Sequence, residues 1–245
     1  MRNRFGRGYI DRDYQSFPEF SAYREYSGGR IPSSQWAERI DHLDSIGGQP
    51  YHWHHSVGRK AVYNQKSTPY CWMYGVCGAI NNSLIRQGVG HVDLNPFATA
   101  YLGKKGRFRG GFGIEACRYI QQWGVPEKDD IPEFQRSFRW PEAAKQSARK
   151  HRLVSFEELP KNSMESVIDA ILVERCPVSV AFSWWKHLVC CLGVAKRGNE
   201  FGLICLNSWG PNWGDNGYTT LWGNKAIPFE AVAVRHVRSR DESDD

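Results

Sequence analysis

Residues 187–207 have the sequence HLVCCLGVAKRGNEFGLICLN. Two apolar runs flank the turn residues KRGN at 196–199, a pattern typical of a β-hairpin. A hairpin centred on this turn pairs residues whose numbers sum to about 395–397, so the partner of His187 falls near 208–210. Asn207 lies one to three residues from that point. The sequence therefore predicts that the Asn207 side chain lies beside the His187 ring.

The rest of the chain divides into a helical first half and a β-rich second half. Periodic apolar residues bounded by Pro or Gly predict four helices, at 71–86, 114–123, 141–151 and 164–175. Short apolar runs predict five strands, at 177–182, 187–195, 201–207, 218–222 and 231–237. Residues 1–50, rich in aromatics, glycine and alternating charge, are predicted to be extended or irregular. This segregation predicts the α+β class with two lobes that meet near 125–160.

The composition is that of a globular protein. Of 245 residues, 41% are hydrophobic and 24% are charged, which excludes collagen, low-complexity disorder and a small disulfide scaffold. The net charge of +6 is modest and no nucleic-acid motif is visible, so no specific nucleic-acid partner is predicted. No apolar run approaches the roughly 18 residues that cross a bilayer, so no membrane partner is predicted. The composition leaves the oligomeric state open.

The seven cysteines are odd in number and irregularly spaced. No CxxC pair and no secretory signal are visible. We therefore expect a reducing, cytoplasmic setting in which at least one cysteine is an unpaired thiol.

Cys71 is the first candidate for chemistry, because it opens a predicted helix just after Pro69. A thiol at a helix N-terminus feels the positive end of the helix dipole and nearby free N–H groups. With a histidine nearby, such placement lowers a thiol pKa into roughly the 3.5–7.5 range and gives a thiolate nucleophile. The alternative is that Cys71 is a small buried apolar residue, as most cysteines in apolar surroundings are.

Two further side chains fit a thiol nucleophile. An Asn207 oxygen that accepts from one ring N–H of His187 fixes the tautomer and leaves the other nitrogen for the thiol. Gln65 lies six residues before Cys71, and its amide together with the Cys71 backbone N–H can form an oxyanion hole. The alternatives are two ordinary polar residues at strand ends and a glutamine in a surface loop.

The tract YHWHH at 51–55 resembles a metal site at first sight. His52 and His54 share one side if the tract is a strand. No further ligand set with zinc spacing accompanies them, so we expect a solvated or packed segment, and we predict no metal and no cofactor.

The stretches VYNQ at 62–65 and CWMYGVCGAI at 71–80 resemble the nucleophile segment of papain-like (C1 family) cysteine peptidases, and further segments resemble the same family in the same order along the chain. NSWGPNWGDNGY at 207–218 is similar to the asparagine segment at nearly every position, and CPVSVA at 176–181 followed by HLV resembles the strand that leads to the catalytic histidine. RGGF at 109–112 resembles the paired-glycine segment of the substrate cleft, and IPSSQW at 31–36 is a weaker echo of the mature N-terminus.

The resemblance implies a papain-like fold over 31–237. A helical left lobe would cover about 60–130, and an antiparallel, β-barrel-like right lobe would cover about 150–237, with the active site in the cleft between them. Residues 1–30 would form an N-terminal arm, for which a regulatory role is one hypothesis, and the acidic residues 238–245 a flexible tail.

The resemblance also implies residue roles. Cys71 would attack the scissile carbonyl, His187 would pair with it as imidazolium and protonate the leaving amine, and Asn207 would orient His187. Gln65 would bind the oxyanion. The remaining implied residues bind or shield: the Gly110 and Gly111 backbones would hydrogen-bond extended substrate, Trp213 would line the primed side, and Trp209 would shield the His187–Asn207 bond from water.

The chain also departs from the family pattern. Thr68 and Arg109 stand where the family usually has cysteines that form disulfides. Tyr70 replaces a small residue, which we expect to narrow the cleft. Lys186 precedes the histidine where the family often has a small or acidic residue, and a cation there can hold a thiolate but also opposes formation of the imidazolium. The segment after Tyr218 is short, so substrate preference cannot be transferred.

The function implied is a cysteine-type peptidase that hydrolyses polypeptide through a thioester acyl-enzyme. One alternative is a catalytically silent papain-like protein used for binding or assembly. The other is a transamidase or acyl transferase on the same scaffold.

Overall fold

A computed structural model describes residues 5–14 and 27–238. Within these ranges the chain forms seven α-helices: α1 (Trp36–Ser45), α2 (Pro50–Val57), α3 (Cys71–Arg86), α4 (Pro96–Gly103), α5 (Gly113–Trp123), α6 (Glu142–Lys150) and α7 (Met164–Leu172). It also forms six strands: β1 (Leu153–Leu159), β2 (Val178–Phe182), β3 (His187–Arg197), β4 (Glu200–Leu206), β5 (Tyr218–Trp222) and β6 (Glu230–Val237). The predicted α+β class is confirmed, and the tail beyond residue 238 lies outside the described residues.

Helix α3 is the central helix, and its first fourteen residues, from Cys71 to Leu84, are all buried. Small residues on one side let it approach β3 closely. A Cβ placed on Gly75 would lie 2.3 Å from Leu188 Cδ2, and one on Gly78 would lie 3.1 Å from Cys190 Cβ. This close packing fixes the start of α3 against the start of β3.

The six strands form one antiparallel sheet in the order β1-β6-β2-β3-β4-β5. Alternate residues of β3 face opposite layers, as the pleat requires. Leu188 and Cys190 belong to the core that includes α3, whereas Val189 and Cys191 belong to the core that includes α1 and α7.

The sheet differs from the barrel-like closure expected from the resemblance. Among the described strands, β1 and β5 are the two edges and do not pair with each other. Both faces of the sheet are covered by helices, so burial of its apolar residues does not require closure. All five predicted strands are present, and β1 is a sixth that the apolar pattern did not indicate.

The prediction that residues 1–50 are extended or irregular was wrong for 36–45, which form α1. Residues 50–57, for which the sequence predicted only a solvated or packed segment, form α2. His54 is buried on α2, with Nδ1 2.6 Å from the Tyr218 hydroxyl oxygen, so it holds α2 to β5. Within the described part of the chain, no group of three or more His, Cys, Asp or Glu side chains is placed to hold a metal ion.

Two general features complete the fold. All seven cysteines are buried and none forms a disulfide. No helix in the described ranges is both long and apolar enough to span a membrane.

Candidate active site

The hairpin of β3 and β4 brings His187 and Asn207 together, as the sequence predicts. Cys190 pairs with Leu206 and Cys191 with Cys205, in the predicted register. His187 Nε2 lies 2.7 Å from Asn207 Oδ1, so Nε2 carries the ring proton and donates it. Nδ1 has no hydrogen-bond partner in the described part of the chain. The unpaired Nδ1 is therefore the nitrogen available for proton transfer.

Tryptophan rings enclose this pair. The Trp209 ring lies 4.4 Å from the His187 ring at an interplanar angle of 30°, and the Trp185 ring lies 4.8 Å from it. The Trp213 ring packs 5.2 Å from Trp209 and is half-buried. Indole rings over the imidazole exclude water from the His187–Asn207 hydrogen bond. Trp209 thus lies where the resemblance implies that it would shield this bond.

Cys71 is fully buried at the first position of α3. Burial raises the pKa of its thiol to about 11, although backbone N–H groups of Leu188, Gly8 and Trp72 oppose the shift. The Leu188 group belongs to the residue after His187. The start of α3 therefore meets the start of β3 at the sulfur of Cys71.

Gln65 lies within the same buried cluster. Its Nε2 donates to the carbonyl oxygens of Thr68 at 2.7 Å and of Gly6 at 3.2 Å, and its Oε1 accepts from Ser208 Oγ at 2.5 Å. Because Ser208 fixes the oxygen end, the amide nitrogen is the end presented to a carbonyl. Sequence reasoning missed Ser208, and its place between Asn207 and Trp209 is the only signal that could have indicated it.

The arm segment, residues 6–12, lies in the groove across these side chains. The Gly6 carbonyl accepts from Trp209 Nε1 at 3.0 Å as well as from Gln65. Tyr9 forms an isolated parallel bridge with Gly111, in which Gly111 N donates to the Gly8 carbonyl at 2.9 Å and Ile10 N donates to the Gly111 carbonyl at 3.0 Å. The arm segment thus uses the paired-glycine backbone as an added strand does.

Glycine is needed where the arm segment crosses the nucleophile. A Cβ on Gly6 would lie 2.0 Å from the Thr68 carbonyl oxygen, and one on Gly8 would lie 1.9 Å from the Pro69 carbonyl oxygen. A Cβ on Gly110 would lie 2.3 Å from the Gly8 carbonyl oxygen. The fit leaves no room for a side chain at these positions.

Burial beneath the arm segment determines the charge of His187 and Cys71. Burial, opposed by the Asn207 hydrogen bond and aided by the charge of Arg7, lowers the pKa of His187 to about 3. With the Cys71 thiol pKa at about 11, the pair is thiol and neutral imidazole at neutral pH. In this covered form the site is not a thiolate–imidazolium pair.

The departures from the family pattern have structural counterparts. Lys186 forms an ion pair with Asp11 of the arm segment, so its cation is directed to that carboxylate. The Tyr70 ring is buried and stacked on Phe108, with its hydroxyl donating to the Arg107 carbonyl, so an aromatic cluster accommodates its bulk.

Two buried carboxylates near the groove also escaped sequence reasoning. Glu158 lies on β1 and Glu230 begins β6, and both are less than one-tenth exposed. Neither stands in a motif.

No family model matches this chain. Among curated proteins, it is 25% identical over 187 residues to the probable cysteine protease RD21C of Arabidopsis thaliana, which covers 66% of this chain and 41% of that protein. It is 24% identical over 192 residues to mexicain of Jacaratia mexicana, covering 69% and 86%. It is 24% identical over 231 residues to mouse cathepsin K, covering 82% and 66%. The chain spans about half the length of several curated relatives.

Solved structures give the same fold. The structure of digestive procathepsin L 3 of Tenebrio molitor larval midgut superposes with a TM-score of 0.66 at 18% identity, over 96% of this chain and 76% of that one. A structure from work on the mite allergens Blo t 1 and Der p 1 superposes with a TM-score of 0.63 at 16% identity, over 91% and 78%. The fold is papain-like.

Proposed function

We propose that this chain, which resembles the papain-like cysteine peptidases in sequence and fold, hydrolyses peptide bonds through Cys71, His187 and Asn207. One observation carries the proposal. His187 donates to Asn207 at 2.7 Å beneath Trp209, with its other nitrogen unpaired, and Cys71 begins α3 beside the next residue of β3. The three residues come from separate parts of the sequence. The buried hydrogen bond between His187 and Asn207 does not need a neighbouring thiol for its stability.

The proposed reaction begins with transfer of the Cys71 proton to His187 Nδ1. The thiolate then attacks the scissile carbonyl carbon, and the oxygen that becomes an anion is bound by Gln65 Nε2 and the Cys71 backbone N–H. The imidazolium gives its proton to the leaving amine as the C–N bond breaks, leaving a thioester. Water, with His187 as base, cleaves the thioester, releases the acid and restores the thiol.

We propose that turnover occurs in a form from which the arm segment has withdrawn. While residues 6–12 fill the groove, Gln65 is bonded to Gly6 and Cys71 lies under Gly8. Withdrawal returns water to the site, so the pKa of the thiol falls and that of the imidazole rises toward the values that an ion pair needs. This assigns a regulatory role to part of the N-terminal arm.

The substrate class that fits is polypeptide in extended form. Gly111 makes two backbone hydrogen bonds to Gly8 and Ile10, which any extended chain can make whatever its side chains. The groove therefore favours unfolded or loop segments over folded domains.

Intact mass after incubation with a peptidyl epoxide tests the proposal, with wild type and Cys71→Ala run side by side. We expect one adduct on wild type, none on Cys71→Ala, and slower addition on His187→Gln. Because the epoxide reaches Cys71 only when the arm segment has withdrawn, Gly8→Ala is included as an uncovered form. A folded Gly8→Ala protein that takes up no adduct would contradict the peptidase and favour a silent binding protein.

The acyl-transfer alternative is separated by the product. An added amine nucleophile gives an amide product if the thioester is resolved by amines, and only the acid if it is resolved by water. We expect the acid, since no described feature of the site selects an amine over water.

A further inference from the structure

A pocket of about 240 Å³ lies in the helical part of the fold, where the ends of α4 and α5 meet α6. This aromatic–basic pocket is lined by Leu102, Gln122, Trp123, Phe138, Trp140, Lys145, Arg149 and Arg152. The first residue of α5 lies beside the paired glycines of the groove, whereas the pocket lies at the other end of that helix, about 15 Å away. The pocket is therefore separate from the candidate active site.

Aromatic rings form the walls of the pocket. Trp140 is buried in a small core cluster of α4 and α6 side chains, and Trp123 packs against that cluster. Phe138 is 54% exposed, although its ring stacks on that of Tyr101. A cavity of about 150 Å³ holds a benzene ring, so the larger volume of this pocket accommodates an aromatic group of one or two fused rings.

Three cationic side chains line the same pocket. Lys145 and Arg149 are exposed and lie four residues apart on one side of α6, and Arg152 follows two residues after its end. Lys145 pairs with Glu142 at 3.2 Å, whereas Arg149 and Arg152 make no ion pair with any residue that the structure describes. The lining within residues 5–14 and 27–238 includes no acidic side chain. A cleft lined by charge of one sign attracts ions of the opposite sign.

Two hydrogen-bond donors of the lining residues are buried without an acceptor. Trp140 Nε1 and Arg152 Nε have no hydrogen-bond partner in the described part of the chain. A buried N–H group that loses water without gaining an acceptor lowers the stability of the fold. Indole and guanidinium groups only donate, so the oxygens of an anionic ligand would supply the acceptors that this pocket lacks.

We propose that the aromatic–basic pocket binds a free small molecule that carries a carboxylate or a phosphate on one or two fused aromatic rings. The ring packs against Trp123, Trp140 and Phe138, and the anionic group lies at the rim. There Arg149 and Arg152 can bind it through paired N–H groups, a geometry that suits both carboxylate and phosphate. This binding does not depend on the proposed peptidase activity.

Two-dimensional NMR of the full, isotope-labelled chain tests the proposal through the indole N–H signals of its ten tryptophans. The signals of Trp123 and Trp140 are identified by their loss in Trp123→Phe and Trp140→Phe. The probes are naphthoate and naphthyl phosphate, which share the ring and differ in the anion, and naphthylmethanol, which has the ring without the charge. The dependence of each signal on probe concentration gives the dissociation constants.

We expect both anions to move the Trp123 and Trp140 signals saturably, with dissociation constants below about 1 mM. Naphthylmethanol is expected to bind about fivefold more weakly, since charged hydrogen bonds at partly exposed sites contribute modestly. Arg149→Gln and Arg152→Gln are each expected to reduce this ratio to about twofold or less, and Arg149 is exposed, so its replacement leaves the fold intact. Lys150→Gln is the matched control: it removes the same charge from an exposed position of α6 outside the pocket and is expected to leave the ratio unchanged.

Three results would overturn the proposal. The first is no saturable movement of the two signals with either anion up to about 5 mM. The second is equal binding of the anions and naphthylmethanol, which would leave an apolar pocket without preference for an anion. The third is an equal loss of the ratio in Lys150→Gln and Arg149→Gln, which would show that the charge of α6 as a whole, rather than the pocket, determines the affinity.

Discussion

Replacing Gly8 by alanine is expected to release the arm segment from the groove. The new Cβ would lie 1.9 Å from the Pro69 carbonyl oxygen and 2.4 Å from its carbon. Pro69 leads directly into the buried start of α3, so the arm segment has to move rather than Pro69. Gly8 is not among the glycines with positive φ, so alanine adds no backbone strain of its own.

The magnitude follows from the bonds that this movement breaks. An ordinary Cβ contact requires a shift of more than about 1 Å, which separates Gly111 N from the Gly8 carbonyl and Ile10 N from the Gly111 carbonyl. Two such bonds contribute about 1–3 kcal/mol. The released fraction is therefore expected to rise by about 5- to 150-fold.

Alkylation of Cys71 by iodoacetamide, followed by intact mass, measures the released fraction. All seven cysteines are buried, so release of the arm segment alone gives one adduct, whereas global unfolding gives several. Gly198→Ala is the matched control: a Cβ there meets nothing within 4 Å, but its φ of +58° costs stability. We expect single-adduct alkylation to accelerate in Gly8→Ala and to stay at the wild-type rate in Gly198→Ala.

A folded Gly8→Ala protein that is alkylated as slowly as wild type would contradict the expected release of the arm segment. The simultaneous appearance of several adducts would contradict it as well, because the substitution would then act on the whole fold. Equal acceleration in Gly198→Ala would show that general destabilisation, rather than the contact with Pro69, controls access.

Three further predictions concern the site and its support. Burial holds the pKa of His187 at about 3, so in a chain carrying Cys71→Ala, which has no thiolate to pair with the imidazole, its NMR ring signal is expected not to titrate as pH falls from about 8 to about 5, but to titrate when Gly8→Ala is added. In that Cys71→Ala background the uncovered form binds an extra proton, so lowering the pH below about 6.5 favours release; equal release at pH 7 and pH 5 would contradict this. Asn207→Ala removes the acceptor that orients His187 and is expected to lower kcat by about 10²-fold or more with little change in KM, measured on a peptide substrate; an unchanged kcat would remove Asn207 from the mechanism. Gly75→Ala places a Cβ 2.3 Å from Leu188 Cδ2, so urea denaturation is expected to give a free energy of unfolding lower by about 1–3 kcal/mol, and no loss would mean that α3 can move away from β3.

The helices and strands that could be predicted from the sequence are those whose bounds are set by nearby residues, such as turn residues, proline and glycine. The turn at 196–199 determines the register of β3 and β4, which is why the contact between His187 and Asn207 could be derived before the fold was known. Pro69, a continuous apolar stripe and Gly88 likewise gave the bounds of α3. In both cases the residues that decide the structure are neighbours in sequence.

The missed elements lack such signals. Helix α2 contains three histidines and no apolar periodicity, and it is stable because Gln49 caps it and His54 contacts Tyr218. Strand β1 contains the adjacent glutamates Glu157 and Glu158, so its sequence lacks the apolar–polar alternation of a half-buried strand, although Glu158 is buried and accepts from Arg12. Local propensity cannot report a stabilising contact made across the fold.

The binding of the arm segment across the active site could not be predicted from the sequence, for the same reason. Tyr9 pairs with Gly111 across about a hundred residues, and the pairing depends on backbone atoms rather than on side-chain pattern. The predicted tetrad of Cys71, His187, Asn207 and Gln65 is gathered in one buried cluster, but its catalytic roles stay predictions.

Cleavage of a reduced, unfolded polypeptide by the Gly8→Ala chain tests the proposed peptidase activity directly. The control is the same chain carrying Cys71→Ala as well. We expect fragments from the first protein and none from the second. A folded Gly8→Ala protein whose Cys71 is alkylated but which leaves the polypeptide intact would contradict the proposed peptidase activity, as would equal cleavage by the two proteins.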